Sequence, residues 1–388
     1  MAPEKYGWVN ALRGYAILLV ILIHSSQEFF SAGFLKALSS AGDTGVQLFF
    51  ILSSFTLFNS YFTRQNEKNK EKSPVANFFL RRFFRIAPYY YLAALFYSLY
   101  IALVFHDTLN PVYIAANILF INGLFLPSIN YIPPGGWSVG VEMLFYLCIP
   151  LLYKKINTLK KAVLILILFI VLSNIMNYCL YYYITNYTAN SWTDLRSDSL
   201  YFWFPNQFPV FIFGIILFLI YKKSIVSKKM GYIILFASLI AFILLSYHTF
   251  ILTYPNYFFQ REYVYALVFM GIAIGAYSTG NKYLINNVVQ KIGIVSFSMY
   301  LNHFIILWLL AGCYSQLQRS GIVIPLWIVN NNIILILGYS LVTILTYYFS
   351  LFTYTYVETW GVKMGNNIIK RLEVKPANAN VLADTKNI

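Results

Sequence analysis

Long apolar runs broken by short polar segments dominate this chain. Runs long enough to cross a bilayer lie near 8–27, 45–62, 88–105, 138–153, 162–182, 207–221, 230–250, 263–279, 292–312 and 328–356. A spanning helix needs roughly 20 apolar residues at a rise of 1.5 Å each. The alternating ten-residue pattern of outer-membrane barrels is absent. The pattern therefore predicts an all-α, polytopic membrane helix bundle of about ten transmembrane helices. A further apolar stretch near 111–127 contains Asn117, Asn122 and Gly123 between Pro111 and Pro127. It is predicted to be re-entrant or interfacial rather than a crossing.

Charge supports that count. With ten crossings and both termini cytoplasmic, all 28 lysines and arginines except Lys36, Arg196, Arg261 and Arg319 fall inside. That is the asymmetry the positive-inside rule demands. If 111–127 crossed, Lys154, Lys155, Lys160 and Lys161 would share a side with residues 29–44. The same asymmetry accounts for the net charge of +15 without nucleic acid as a partner.

Composition agrees. The chain of 388 residues is 59% hydrophobic and 11% charged, with mean hydropathy +0.64, whereas soluble domains carry about 25% charged residues. Its 34 Tyr and 34 Phe supply interfacial belts. Cys148, Cys179 and Cys313 stand singly in apolar runs, without zinc-site spacing, and are expected to be buried, inert thiols. The first apolar segment contains Arg13 and His24 and lacks a small-residue cleavage site, so it is expected to be a retained span. Residues 1–360 are expected to form the transmembrane domain and 361–388 a short cytoplasmic tail. No inverted repeat of the transporter kind is visible.

Candidate chemistry lies inside the apolar runs, where ionisable groups are rarely accidental. Arg13 and His24 are eleven residues apart, about three helical turns, which places them on one face roughly 16 Å apart along the axis. A neutral imidazole can accept a proton from an alcohol as general base. Arg82 and Arg85, within Arg81–Pro88, are helix-surface neighbours that suit bidentate binding of phosphate. Membrane anchoring and headgroup contact are the plainer reading of a basic cluster. Glu142, in Gly135–Glu142, needs a partner such as His24 or an arginine, while Trp137 could serve only as an interfacial anchor. His303, in Ser296–His303, lies about 15 Å into its span and by itself is expected to be a packing histidine. Ser53 and Ser54 read as small residues for close helix packing, and Asp43 as a helix cap.

Taken together, these segments resemble the acyltransferase 3 family of bacterial membrane acyltransferases, from Trp8 to about residue 356. Arg13 and His24 match its R-x10-H pattern. Gly45–Ser53 then matches GVxxFFxLS, Arg81–Pro88 matches RRxxRIxP, and Trp137–Glu142 matches WSxxxE. The SxSxYLxH-like run ending at His303 completes the order. Ser54 stands where the family usually has Gly, and the absence of an esterase-like domain resembles stand-alone members.

The resemblance implies transfer of an acyl group, usually acetyl from acetyl-CoA, to a hydroxyl of a surface or exported glycan or glycolipid at the bacterial inner membrane. It implies His24 as catalytic base with Arg13 and Glu142 beside it, and Arg82 and Arg85 on the CoA phosphates. Trp137, His303 and Ser53 are expected at the substrate, with residues 183–206, including Trp192 and Asp194, lining the acceptor's approach. No permanently bound cofactor and no metal are expected; acyl-CoA is the donor substrate, and membrane lipids are the surroundings. A flippase or transporter for lipid-linked glycans, or a membrane sensor, is the competing expectation.

Overall fold

The computed structural model describes residues 6–29, 32–65, 71–187, 200–247, 260–320 and 332–373. In chain order the helices are α1 (Gly7–Glu28), α2 (Gly33–Ser40), α3 (Gly45–Gln65), α4 (Pro74–Tyr100), α5 (Pro111–Ile118), α6 (Gly136–Lys155) and α7 (Leu159–Tyr187). They continue as α8 (Phe204–Lys223), α9 (Lys228–Tyr247), α10 (Arg261–Thr279), α11 (Asn287–Ile294), α12 (Ser296–Arg319), α13 (Ile333–Thr353) and α14 (Thr359–Glu373). No strand occurs among the described residues. Among the described residues, ten helical stretches are long and apolar enough to cross a membrane, and they correspond to the ten predicted from hydrophobic runs. The protein is an all-α, multi-pass membrane bundle.

The 111–127 stretch does not cross. Helix α5 has eight residues, about 12 Å of rise. Its start is capped by Asn110, whose side chain accepts from the Val112 amide. Beyond it the chain folds back on two buried amides. Asn117 Nδ2 donates to the Ser128 carbonyl at 3.0 Å, and Asn122 Nδ2 to that of Ile129 at 3.1 Å. Irregular backbone at membrane depth needs such internal partners. The asparagines that interrupt the apolar run are what permit it to turn.

Helices α3, α8 and α10 form the inner layer, whereas α7 and α9 are mostly exposed on the outside. Two glycines fix the relation of α1 to α11. A Cβ on Gly293 would lie 1.7 Å from the Asn10 carbonyl oxygen, and one on Gly14 would lie 2.3 Å from that of Val289. Only hydrogen at both positions allows this approach, as small residues do in membrane interfaces. Because α12 follows α11 directly, the same contact sets where α12 stands against α1. Cys179 and Cys313, expected to be buried, are exposed on the outer faces of α7 and α12, and Cys148 is half-buried.

The chain between α13 and α14 widens into a π turn over Tyr354–Glu358, a feature often found at functional sites. Glu358 is buried there and accepts a hydrogen bond from Ser298. Helix α14 then packs along the first half of α4, where the Cβ positions of Gly361 and Gly365 would press on Phe84 and Pro88. Its last residue, Glu373, accepts from the backbone N–H of Lys72 at 2.9 Å and from Asn77 Nδ2 at 2.7 Å. The arginine-bearing helix is thus held at its start by the end of α14.

Candidate active site

The last turns of α1 carry His24 against α12. Its ring lies 5.3 Å from that of His303 and 4.5 Å from that of Phe304, centre to centre. His24 therefore faces protein. His24 Nδ1 lies 3.0 Å from Gln27 Oε1; with Nδ1 donating to that oxygen, Nε2 is left with its lone pair. His303 is fully buried, and its Nδ1 is 2.7 Å from the Tyr300 carbonyl. A carbonyl can only accept, so His303 also carries its hydrogen on Nδ1. Its Nε2 is buried without a hydrogen-bond partner.

One turn below, Ser138 Oγ donates to Tyr300 Oη at 2.8 Å, and Tyr300 donates to the Gly135 carbonyl at 2.9 Å. Phe49 closes this layer edge-on to Tyr300, 6.3 Å between centres.

A second polar group lies deeper. Ser53 donates to the Glu142 carboxylate, and Tyr146 donates to it at 2.6 Å. Arg13 donates to Thr56 Oγ1 at 3.3 Å. Glu142 acts electrostatically on both Arg13 and Arg82, and so is the shared counter-charge of two cations from different helices. Its closest partners are hydroxyls, where sequence pointed to His24 or an arginine. Arg82 is partly buried, with Nε lacking a partner, and lies 5.9 Å over the Phe78 ring. Arg85 is exposed, within electrostatic reach of Glu358.

Arg81 is engaged elsewhere. It donates to Glu71 at 2.8 and 3.1 Å, and Glu71 also accepts from Arg64 at 3.0 Å and Asn77 at 3.1 Å. Partial burial alone would raise the Glu71 carboxyl, but Arg81, Asn77 and Arg64 together hold it below the usual carboxylate range. This leaves Arg82 and Arg85 as the arginines of the motif not tied to an acid by a direct hydrogen bond.

The two groups are contiguous. Phe49 and Ser53 are one turn apart on α3, as are Ser138 and Glu142 on α6, a step of roughly 6 Å in each case. From His24 the side chains of His303, Tyr300 and Ser138 follow one another, Glu142 stands one turn beyond Ser138 on α6, and Arg82 lies within its electrostatic reach.

Other sequence expectations meet the structure differently. Trp137 packs on Phe202 at 4.6 Å and Phe50 at 6.1 Å, not on the histidine or arginine groups. Asp43 makes a two-point ion pair with Arg261 at 2.6 and 2.8 Å instead of capping a helix, and lies within electrostatic reach of His24. Ser53 is a hydrogen-bond donor more than a packing residue, while Ser54 does pack closely, 2.7 Å from where a Cβ on Gly214 would be. Trp192 and Asp194 lie outside the described residues. Tyr146, Tyr300 and Ser138 were missed. Tyr146 could have been found, because it stands one turn from Glu142 on the same helix.

The helical bundle thus encloses a histidine pair and, beyond it, a carboxylate within electrostatic reach of two arginines. The family described as an acyltransferase domain, acyltransferase 3, matches residues 6–355, and the chain belongs to that family: it is a membrane acyltransferase. Comparison with curated proteins and with solved structures gave no match.

Proposed function

We propose that the protein moves an acyl group, acetyl in the first instance, from acyl-CoA to a hydroxyl of a surface or exported glycan. The arginine end faces the cytoplasm, as do both termini, and the membrane is the bacterial inner membrane. CoA phosphates dock on Arg82 and Arg85, and the thioester reaches toward His24. His24 Nε2 takes the proton of the acceptor hydroxyl, whose oxygen bonds to the acyl carbon as the carbon–sulfur bond breaks; CoA leaves as thiolate and is protonated. Glu142 holds Arg13 and Arg82 in place through its charge.

The observation that carries this reading is that the histidine pair and the Glu142 group stand one helical turn apart across α6, with Arg82 within electrostatic reach of Glu142. A cytosolic polyanion held at one end then has a line of polar side chains leading to a base. General-base help of this kind contributes about 10²–10⁴-fold in rate.

The experiment is mass spectrometry of surface glycans from cells carrying the wild-type protein or His24→Ala at equal membrane abundance, with thiol release from acetyl-CoA by the purified protein. Loss of the added acyl mass and of thiol release is expected for His24→Ala. Normal acylation in that variant would overturn the role of His24, and glycan export that changes without change in acyl content would favour a flippase.

A further inference from the structure

One face of α3 is polar over a stretch where its other residues are mostly apolar. Ser53, Ser60, Thr56, Thr63 and Asn59 fall within about 120° of one another around the axis and extend over roughly 15 Å. The apolar residues between them, Phe55, Leu57 and Phe58, are fully buried, whereas Thr56, Asn59 and Ser60 are half-buried and Thr63 is exposed. A polar stripe on a membrane helix faces protein or water rather than lipid.

The stripe has three steps. At its inner end Ser53 donates to Glu142. One turn on, Thr56 accepts from Arg13 at 3.3 Å, and Arg13 lies within electrostatic reach of Arg85 and Arg82. At the third step Asn59 Nδ2 donates to Tyr6 Oη at 2.7 Å, a bond that the proposed mechanism leaves without a task. It fixes the plane of the Asn59 carboxamide, while Oδ1 and the second amide hydrogen keep no partner among the described residues. An oriented carboxamide with a free acceptor and a free donor side by side is the group that reads adenine, accepting from its exocyclic N–H and donating to N7.

We propose that Asn59, held in orientation by Tyr6, is the subsite for the adenine of acyl-CoA. This rests on the reading of Arg82 and Arg85 as the phosphate site. In CoA the phosphates stand between the base and the thioester. With the phosphates at the arginines and the thioester toward His24, the base falls on the opposite side, toward the cytosolic end of α3. Asn59 stands there, three residues or about 4.5 Å of helical rise beyond Thr56, a step that a ribose spans.

The test uses full-length protein in lipid nanodiscs and displacement of labelled acetyl-CoA by CoA or by etheno-CoA, whose bridged adenine has no exocyclic N–H. The wild type binds etheno-CoA about tenfold more weakly than CoA, within the range of a bidentate base contact. Asn59→Leu, close in size, weakens CoA about tenfold and binds the two compounds alike. Tyr6→Phe keeps the ring but releases the amide, and part of the discrimination goes with it. Turnover separates reading a base from holding the fold. The ratio of kcat/KM for acetyl-CoA to that for acetyl-phosphopantetheine, which lacks the nucleoside, falls about tenfold in Asn59→Leu, with the loss in KM. Damaged packing lowers both substrates alike and leaves the ratio unchanged.

Equal affinity of the wild type for CoA and etheno-CoA, or an unchanged substrate ratio in Asn59→Leu, would overturn the proposal; both are expected if the stripe holds only water or a lipid headgroup. A wild type that binds no acetyl-CoA removes the donor reading and the subsite together. One that binds acetyl-CoA without regard to the base removes the subsite alone.

Discussion

Ser138 and Glu142 lie one turn apart on α6 and bond to different partners: Ser138 donates to Tyr300, whereas Glu142 accepts from Ser53 and Tyr146. One helix thereby couples the histidine layer to the arginine layer. The spacing between the two layers is set by helical rise and not by flexible loops, the kind of rigid support that holds a site to a fixed geometry.

Glu142→Gln keeps an oxygen to accept from Ser53 and Tyr146 but removes the charge opposing Arg13 and Arg82. Uncompensated cations in a protein interior cost about 3–5 kcal/mol. Thermal unfolding in detergent is expected to shift down and activity to fall at least tenfold, whereas Tyr146→Phe, which removes one hydrogen bond, costs about 1 kcal/mol. Fluorescence-detected melting and thiol release measure both.

Arg82→Ala and Arg85→Ala are each expected to weaken acetyl-CoA binding about 10–100-fold, the range for a lost charge-assisted hydrogen bond. Lysine restores charge but not the bidentate fork and rescues only in part. Arg81→Ala leaves that affinity near wild type, since Arg81 is bonded to Glu71. Equilibrium retention of labelled acetyl-CoA on purified protein distinguishes these outcomes.

Gly293→Ala places a methyl group against the Asn10 carbonyl and is expected to destabilise by about 3 kcal/mol or more. Gly312→Ala, on the following helix with open space around it, is expected to be neutral or slightly stabilising. The yield of monodisperse protein on gel filtration compares the pair directly.

Glu71 titrates below the ordinary carboxylate value of 4.5, so its bonds to Arg81, Asn77 and Arg64 stabilise the folded loop fully above that pH. The contribution is lost as pH falls through the lower folded value. Hydrogen exchange at residues 71–81 is expected to accelerate only in that acidic window, and Glu71→Gln to be fast already at neutral pH.

Hydrophobic run length located all ten spans, because bilayer thickness imposes nearly the same length on each. The asparagines of 111–127 revealed the stretch that does not cross. Arg13 and His24 were legible because ionisable groups stand out in apolar sequence and helical geometry places them on one face. The pairing of His24 with His303 was not legible, since it depends on how α11 lies in the groove of α1, a matter of two glycines whose contacts no local pattern announces. Asp43 misled for a similar reason: a cap is a local expectation, while its partner Arg261 is 218 positions away. The same holds for Glu373, which looks like an ordinary tail residue until α14 folds against α4.

That last contact orders events in time. The backbone amide at Lys72 finds its carboxylate 301 positions downstream, so the helix bearing Arg82 is synthesised well before the residue that tethers its start. The start of the arginine-bearing helix is therefore tied down only by a segment made long after it.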